Sequence, residues 1–98
     1  MKTLAAFKAT LSEQQPPQSL PAHLKSLWFD GKGDWHNAHA EVDHLSDKPA
    51  QRVHAYLHRK EDDIWNADYW YKKANAVRPH TSLDEEWEQL VKQFLTEV

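Results

Sequence analysis

Gly33-Asp34-Trp35-His36-Asn37-Ala38 and, 29 residues further on, Asp62-Asp63-Ile64-Trp65-Asn66-Ala67 carry the same message twice. Each runs as a turn residue, an Asp, a large apolar residue, a variable position and then Asn-Ala. A turn residue followed by Asp is a helix stop followed by an N-cap, because the Asp carboxylate accepts from backbone N–H groups that the first helical turn leaves unpaired. The match extends outward: Leu27-Trp28-Phe29 lies over Tyr56-Leu57-His58, and Val42 over Tyr71. The repeated unit is a helix, a tight turn and a second helix. Ala38 and Ala67 hold matching positions in the two units.

The flanking sequence is helical too. Leu24, Leu27 and Trp28 form an i, i+3, i+4 stripe, and Trp35, Ala38, Val42 and Leu45 mark one face of the next helix at i, i+3, i+7, i+10. Ser46-Asp47-Lys48-Pro49 is a turn and cap, and the helix after it carries Val53, Ala55, Tyr56 and Leu57. Ile64, Ala67, Tyr71 and Ala74 mark a fifth helix that Arg78-Pro79-His80 ends. Ser82-Leu83-Asp84-Glu85 is a capping box ahead of Trp87, Leu90, Val91, Phe94 and Leu95. At the other end Leu4, Phe7 and Leu11 describe a short helix, cut off by Pro16-Pro17, which removes two donors and forces extended backbone before each ring. No period-2 alternation signals a strand. The expectation is one all-α domain of five or six short helices over residues 1–98: an N-terminal helix within 1–13, a Pro-rich linker at 14–20, two helix–turn–helix units over 22–79 and a capping helix at 82–97. The N-terminal helix, beyond its linker, is expected to dock loosely.

The turn, Asp, large residue and Asn-Ala of both units resemble the helical hairpins of tetratricopeptide and Sel1-like repeats, in which a small residue after the turn lets antiparallel helices pack. Pro79 falls where the tetratricopeptide pattern closes, and Pro49 one residue short of that place. The period is 29, Ser26 and Ala55 replace the usual glycine, and only two units are present. The resemblance implies antiparallel hairpins in a right-handed stack, with the terminal helices as caps. His54-Ala55-Tyr56-Leu57-His58-Arg59-Lys60-Glu61, continuing to Ala74, is also similar to a segment of small uncharacterised bacterial proteins, which implies no activity.

Composition narrows the function classes. The 98 residues hold 12 Lys and Arg against 15 Asp and Glu, a net charge of −3, so no general basic surface for nucleic acid or anionic membrane is expected. The absence of Cys excludes disulfides, thiolate metal sites and Cys nucleophiles. Two Gly exclude a phosphate-binding loop or dinucleotide fingerprint. No apolar run reaches membrane-spanning length and MKTLAAFKATLSEQ lacks a signal-peptide core, so a cytoplasmic protein is expected.

Three groups of residues can carry chemistry. His54 and His58, at i and i+4, share a helix face at the spacing of a two-imidazole metal site, with Glu61 one turn beyond. Ala55 stands where a zinc protease needs Glu, so a third ligand has to come from Glu61 or from a His of the preceding helix. The same two His also suit ordinary packing, since His58 takes the repeat position of Phe29. His36, His39, Asp43 and His44 form a second polar stripe that reads either as ligands or as a titrating face. Trp65, Tyr69 and Trp70 lie off the inward stripe of the fifth helix; they are either buried against the last helix or anchors for a partner, with Arg59 and Lys73 at the rim. The leading expectation is a non-enzymatic module, without cofactor, that binds a protein or peptide or self-associates. The alternative is a zinc-binding protein, catalytic or not, using the His pair. A small-ligand pocket of Tyr56, His58, Trp65 and Tyr71 is third. Asn37 and Asn66 are expected to hydrogen-bond across the interhelical turns.

Overall fold

The computed structural model describes residues 1–97, and among them the regular structure is entirely helical. Six α-helices follow in order: α1 (Leu4–Ala9), α2 (Ala22–Gly31), α3 (Trp35–Val42), α4 (Lys48–Lys60), α5 (Ile64–Lys73) and α6 (Leu83–Thr96), with a 3-10 turn at Thr10–Ser12 after α1. Asp34, Asp47, Asp63 and Ser82 cap α3 to α6 as the sequence asks, each accepting from the backbone N–H three residues on. At α6 the box is half formed: Ser82 Oγ accepts from the Glu85 N–H at 3.1 Å, while the Glu85 carboxylate accepts from the Ser82 hydroxyl at 3.0 Å.

The repeat is visible as geometry. Gly33 and Asp62 both adopt left-handed backbone, at φ +83° and +65°. Each is followed by the same closing bond, Asp34 N–H to Phe29 O and Asp63 N–H to His58 O, both 2.9 Å. Asn37 and Asn66 then donate side-chain N–H groups to Asp34 (2.6 Å) and Asp63 (2.9 Å), which stiffens the turns from one side. Small residues meet between the helices: Ser26 Oγ donates to Ala38 O at 2.7 Å, and fully buried Ala55 and Ala67 hold the matching places in the second hairpin. α3 and α4 run antiparallel around residues 43–47, so Trp35 Nε1 donates to Leu57 O at 2.8 Å and His39 meets His54.

α6 lays Leu90, Val91, Phe94 and Leu95 into a core that also holds Leu24, Leu27, Trp28, Val42, Val53 and Leu57. Trp87 Nε1 donates to Leu27 O at 2.9 Å. The N-terminal helix is part of this core, contrary to the expected loose docking. Phe7 is fully buried and sits 5.9 Å from the Trp87 ring, a burial that contributes about 1.5–3 kcal/mol. Lys8 pairs with Glu88 at 2.5 Å, and Lys32 Nζ reaches back to the Leu11 and Glu13 carbonyls. The linker therefore folds back rather than spacing the helix away.

α5 ends at Lys73, earlier than the Arg78-Pro79 stop predicted, because Asn75 takes φ +59° and Ala76 N–H bonds to Tyr71 O at 2.8 Å. Two buried carboxylates tie the hairpins together. Asp30 on α2 accepts from Tyr56 Oη (2.5 Å) and Lys60 Nζ (2.8 Å). Glu86 on α6, fully buried, accepts from Arg52 (2.8 Å), Arg59 (2.6 Å) and Tyr71 (2.6 Å). Among the described residues no helix is long and apolar enough to cross a membrane.

Candidate metal centre

Antiparallel pairing of α3 with α4 brings three imidazoles together. His39 stands on α3 one turn after Trp35, and the two rings stack at 4.8 Å and 9°. His54 and His58 stand one turn apart on α4 and stack at 4.8 Å and 30°. One ring nitrogen from each of His39, His54 and His58 lies within 4.8 Å of the other two. His39 Nε2 and His54 Nε2 are 3.1 Å apart, close to the roughly 3.3 Å edge that a tetrahedral shell with zinc–nitrogen bonds of 2.0–2.1 Å imposes.

Carboxylates orient the outer nitrogens. His58 Nδ1 lies 2.9 Å from Glu61 Oε2, a contact that in a neutral ring places the N–H on Nδ1 and leaves Nε2 as the lone-pair donor. His39 Nδ1 faces Asp43 Oδ2 at 3.7 Å, a longer version of the same arrangement. Metal-bound His residues almost always make such contacts, which set the tautomer and raise the basicity of the ligating nitrogen. Glu61, one of the two sources the sequence offers for a third ligand, lies against His58 Nδ1, while the other, a His of α3, is His39, which joins His54 and His58 in one donor group. Glu61, His58 and Asp63 do form a second group of possible donors within 4.8 Å, but both Asp63 oxygens already accept from Asn66 to cap α5.

The environment favours the neutral form of His54 and His39. His54 is 4% exposed, and its Nδ1 has no hydrogen-bond partner. Burial first, and then the neighbouring His58 and His39, push its pKa down to about 4. The His39 pKa is lowered as well, by burial and then by His58. Neutral imidazoles offer lone pairs to a cation, which is the protonation state a transition metal requires. Indoles close two sides: Trp35 covers His39, and Trp70 from α5 stacks on His54 at 4.1 Å and 22°.

Comparison of the chain with protein-family models, with curated proteins and with solved structures finds no match.

The remaining candidates fall into separate places. Trp65, Tyr69, Trp70 and Lys73 form one ridge on α5: Trp65 stacks on Tyr69 at 6.3 Å, Tyr69 meets Trp70 edge-on at 5.3 Å, and Lys73 Nζ lies 5.4 Å from the Tyr69 ring. The alternative of burial against α6 does not occur, as Trp65 is 78% and Tyr69 46% exposed. α6 packs on α1, α2 and α4, and α5 has α4 as its main neighbour. Arg59 is no rim residue; it is held between Glu86 and the Thr81 carbonyl. Of the second His stripe only His39 joins the cluster, while His36 and His44 are exposed, His44 against Asp43 at 3.2 Å. Tyr56 and Tyr71 close the Asp30 and Glu86 networks instead of lining a shared pocket.

The spacing within α4 leaves the third ligand open between Glu61 and a His of α3. A usable signal was present: His39 and His54 are equidistant from the loop at residues 46–47, so an antiparallel pair of helices sets them level. The roof that Trp70 makes over His54 had no such signal, because it depends on how α5 rotates about its axis.

Proposed function

We propose that this protein binds one first-row transition-metal ion through His39, His54 and His58. The observation that carries the proposal is the convergence of one nitrogen from each imidazole within 4.8 Å, with the buried His54 held toward its neutral form. Nitrogen donors without thiolate suit zinc, nickel or copper, with copper the tightest of these on intrinsic affinity. The test is elemental analysis of untagged protein purified without chelator or immobilised metal, followed by zinc titration. Near one equivalent of metal is expected, and at a hundredfold excess over Kd it adds about 2.7 kcal/mol of stability. His39→Ala or His54→Ala weakens binding by at least about tenfold. Metal-free protein with weak, non-stoichiometric uptake, unchanged by His54→Ala, overturns the proposal.

The exposed ridge of Trp65 and Tyr69 supports a second reading, that α5 engages a protein or peptide or a second copy of the chain. The two hairpins would then form a tetratricopeptide-like right-handed stack of a cytoplasmic interaction module. Sedimentation of the wild type and of Trp65→Ala across concentration checks self-association, and a monomer at all concentrations removes that version.

A further inference from the structure

We infer that a metal held by the three imidazoles keeps one coordination position open, so that the ion binds hydroxide or another small monodentate anion. The inference rests on the metal-binding reading and deepens it.

Each ring's donor atom follows from what its two nitrogens face. His39 and His54 face each other through Nε2, and His58 is left with Nε2 because its Nδ1 is engaged by Glu61. All three rings then bind through the same atom. The two nitrogens of an imidazole point to opposite sides of the ring, so a carboxylate on Nδ1 stands behind its histidine and away from a metal on Nε2. Glu61 (2.9 Å from His58 Nδ1) and Asp43 (3.7 Å from His39 Nδ1) both stand there. The walls offer no replacement. Trp70 presents a ring face to His54, and the one polar atom of the Trp35 indole already donates to Leu57 O. Among the described residues, the group that contains His39 and His54 holds three donors and no fourth.

Four-coordinate zinc with three protein ligands takes water or substrate in the last position, the arrangement of catalytic rather than structural sites. The open side is the α3 side: the His39 side chain is 26% exposed, against 4% for residue His54, so solvent reaches the cluster past His39. The ligand class is set by charge. Three neutral imidazoles leave a divalent ion with its full charge, and the two orienting carboxylates sit a ring's width away. An anion that donates through one atom fits; a bulky or chelating one meets the two indoles.

The test uses Co²⁺, whose visible bands report coordination, added to the metal-free full-length chain and then titrated with azide. The expected result is one equivalent of Co²⁺ whose spectrum shifts saturably with azide, and an azide shift of the same kind in Glu61→Gln once its weaker Co²⁺ binding is saturated. One equivalent of Co²⁺ with an intense tetrahedral spectrum that azide leaves unchanged overturns the open position while the metal site stands. An azide response that appears only in Glu61→Gln also overturns it, because Glu61 is then the fourth ligand. No stoichiometric Co²⁺ binding in wild-type protein with native circular dichroism removes the metal reading itself and this inference with it.

Discussion

Helix α4 carries polar groups into the protein on two sides, and the two sides are built to opposite specifications. On one, Arg52 and Arg59 meet Glu86, whose Oε2 accepts from Arg52 and Tyr71 and whose Oε1 accepts from Arg59. Every charge there is paired, and α4, α5 and α6 are fastened together. On the other, His54 and His58 meet His39 with a single nitrogen–nitrogen contact of 3.1 Å, and His54 Nδ1 has no partner. An unpaired buried polar group costs about 1–3 kcal/mol, and three imidazoles in one place repel as soon as more than one is protonated. The difference separates a polar network whose charges are all paired from one that leaves His54 Nδ1 unsatisfied and turns its Nε2 side toward two other imidazoles.

The largest effect expected is at the paired side. Glu86→Ala leaves Arg52 and Arg59 facing each other without a counter-charge, and the expected loss is about 3–5 kcal/mol in chemical denaturation. A loss under about 1 kcal/mol would erase the contrast, since the Glu86 network would then be no more structural than the His cluster.

Acid acts next, on the other side. The His54 pKa lies near 4 in the folded, metal-free protein and near 6.5 in the unfolded chain. Between those values the unfolded state binds more protons, so stability is greatest above pH 6.5 and falls as pH drops toward 4. The expected loss from His54 is on the order of 3 kcal/mol, and the lowered His39 adds to it in the same direction. His54→Phe separates this from general acid effects. The substitution keeps an aromatic ring beneath Trp70, removes the orphaned nitrogen, and leaves stability at pH 7 within about 1 kcal/mol of wild type or above it. It abolishes metal uptake and flattens the acid slope. A variant several kcal/mol less stable at pH 7 shows instead that His54 is a structural residue.

The smallest effect sharpens the comparison from outside. Trp65→Ala on the exposed ridge is expected to change stability by no more than about 0.5 kcal/mol and to leave metal uptake unchanged. A larger loss shows that the ridge supports the roof which Trp70 makes over His54.

Local chemistry made much of the fold legible. The caps at Asp34, Asp47, Asp63 and Ser82 were readable because a cap needs only its own next turn, and the stripe from Trp87 to Leu95 because one face of one helix suffices. The repeat showed which turns are alike, down to the left-handed residues Gly33 and Asp62. Legibility ended where a side chain answers to a distant helix. In Asp84-Glu85-Glu86 all three acids look like a charged first turn, yet Glu86 alone is buried, because Arg52, Arg59 and Tyr71 lie opposite it. Arg59 looked like a rim cation for the same reason. The His54 and His58 pair was visible from spacing within α4, whereas His39 required knowing that α3 returns alongside.

The placement of the five tryptophans has an optical consequence. Trp28 and Trp87 are buried in the core and Trp65 faces solvent, while Trp35 and Trp70 lie flat on His39 and His54. Two indoles thus serve as antennae stacked on two of the candidate ligands. A paramagnetic ion arriving there darkens those two first and leaves the blue-shifted glow of the interior and the red-shifted glow of the surface in place, so occupancy is separable by colour from unfolding.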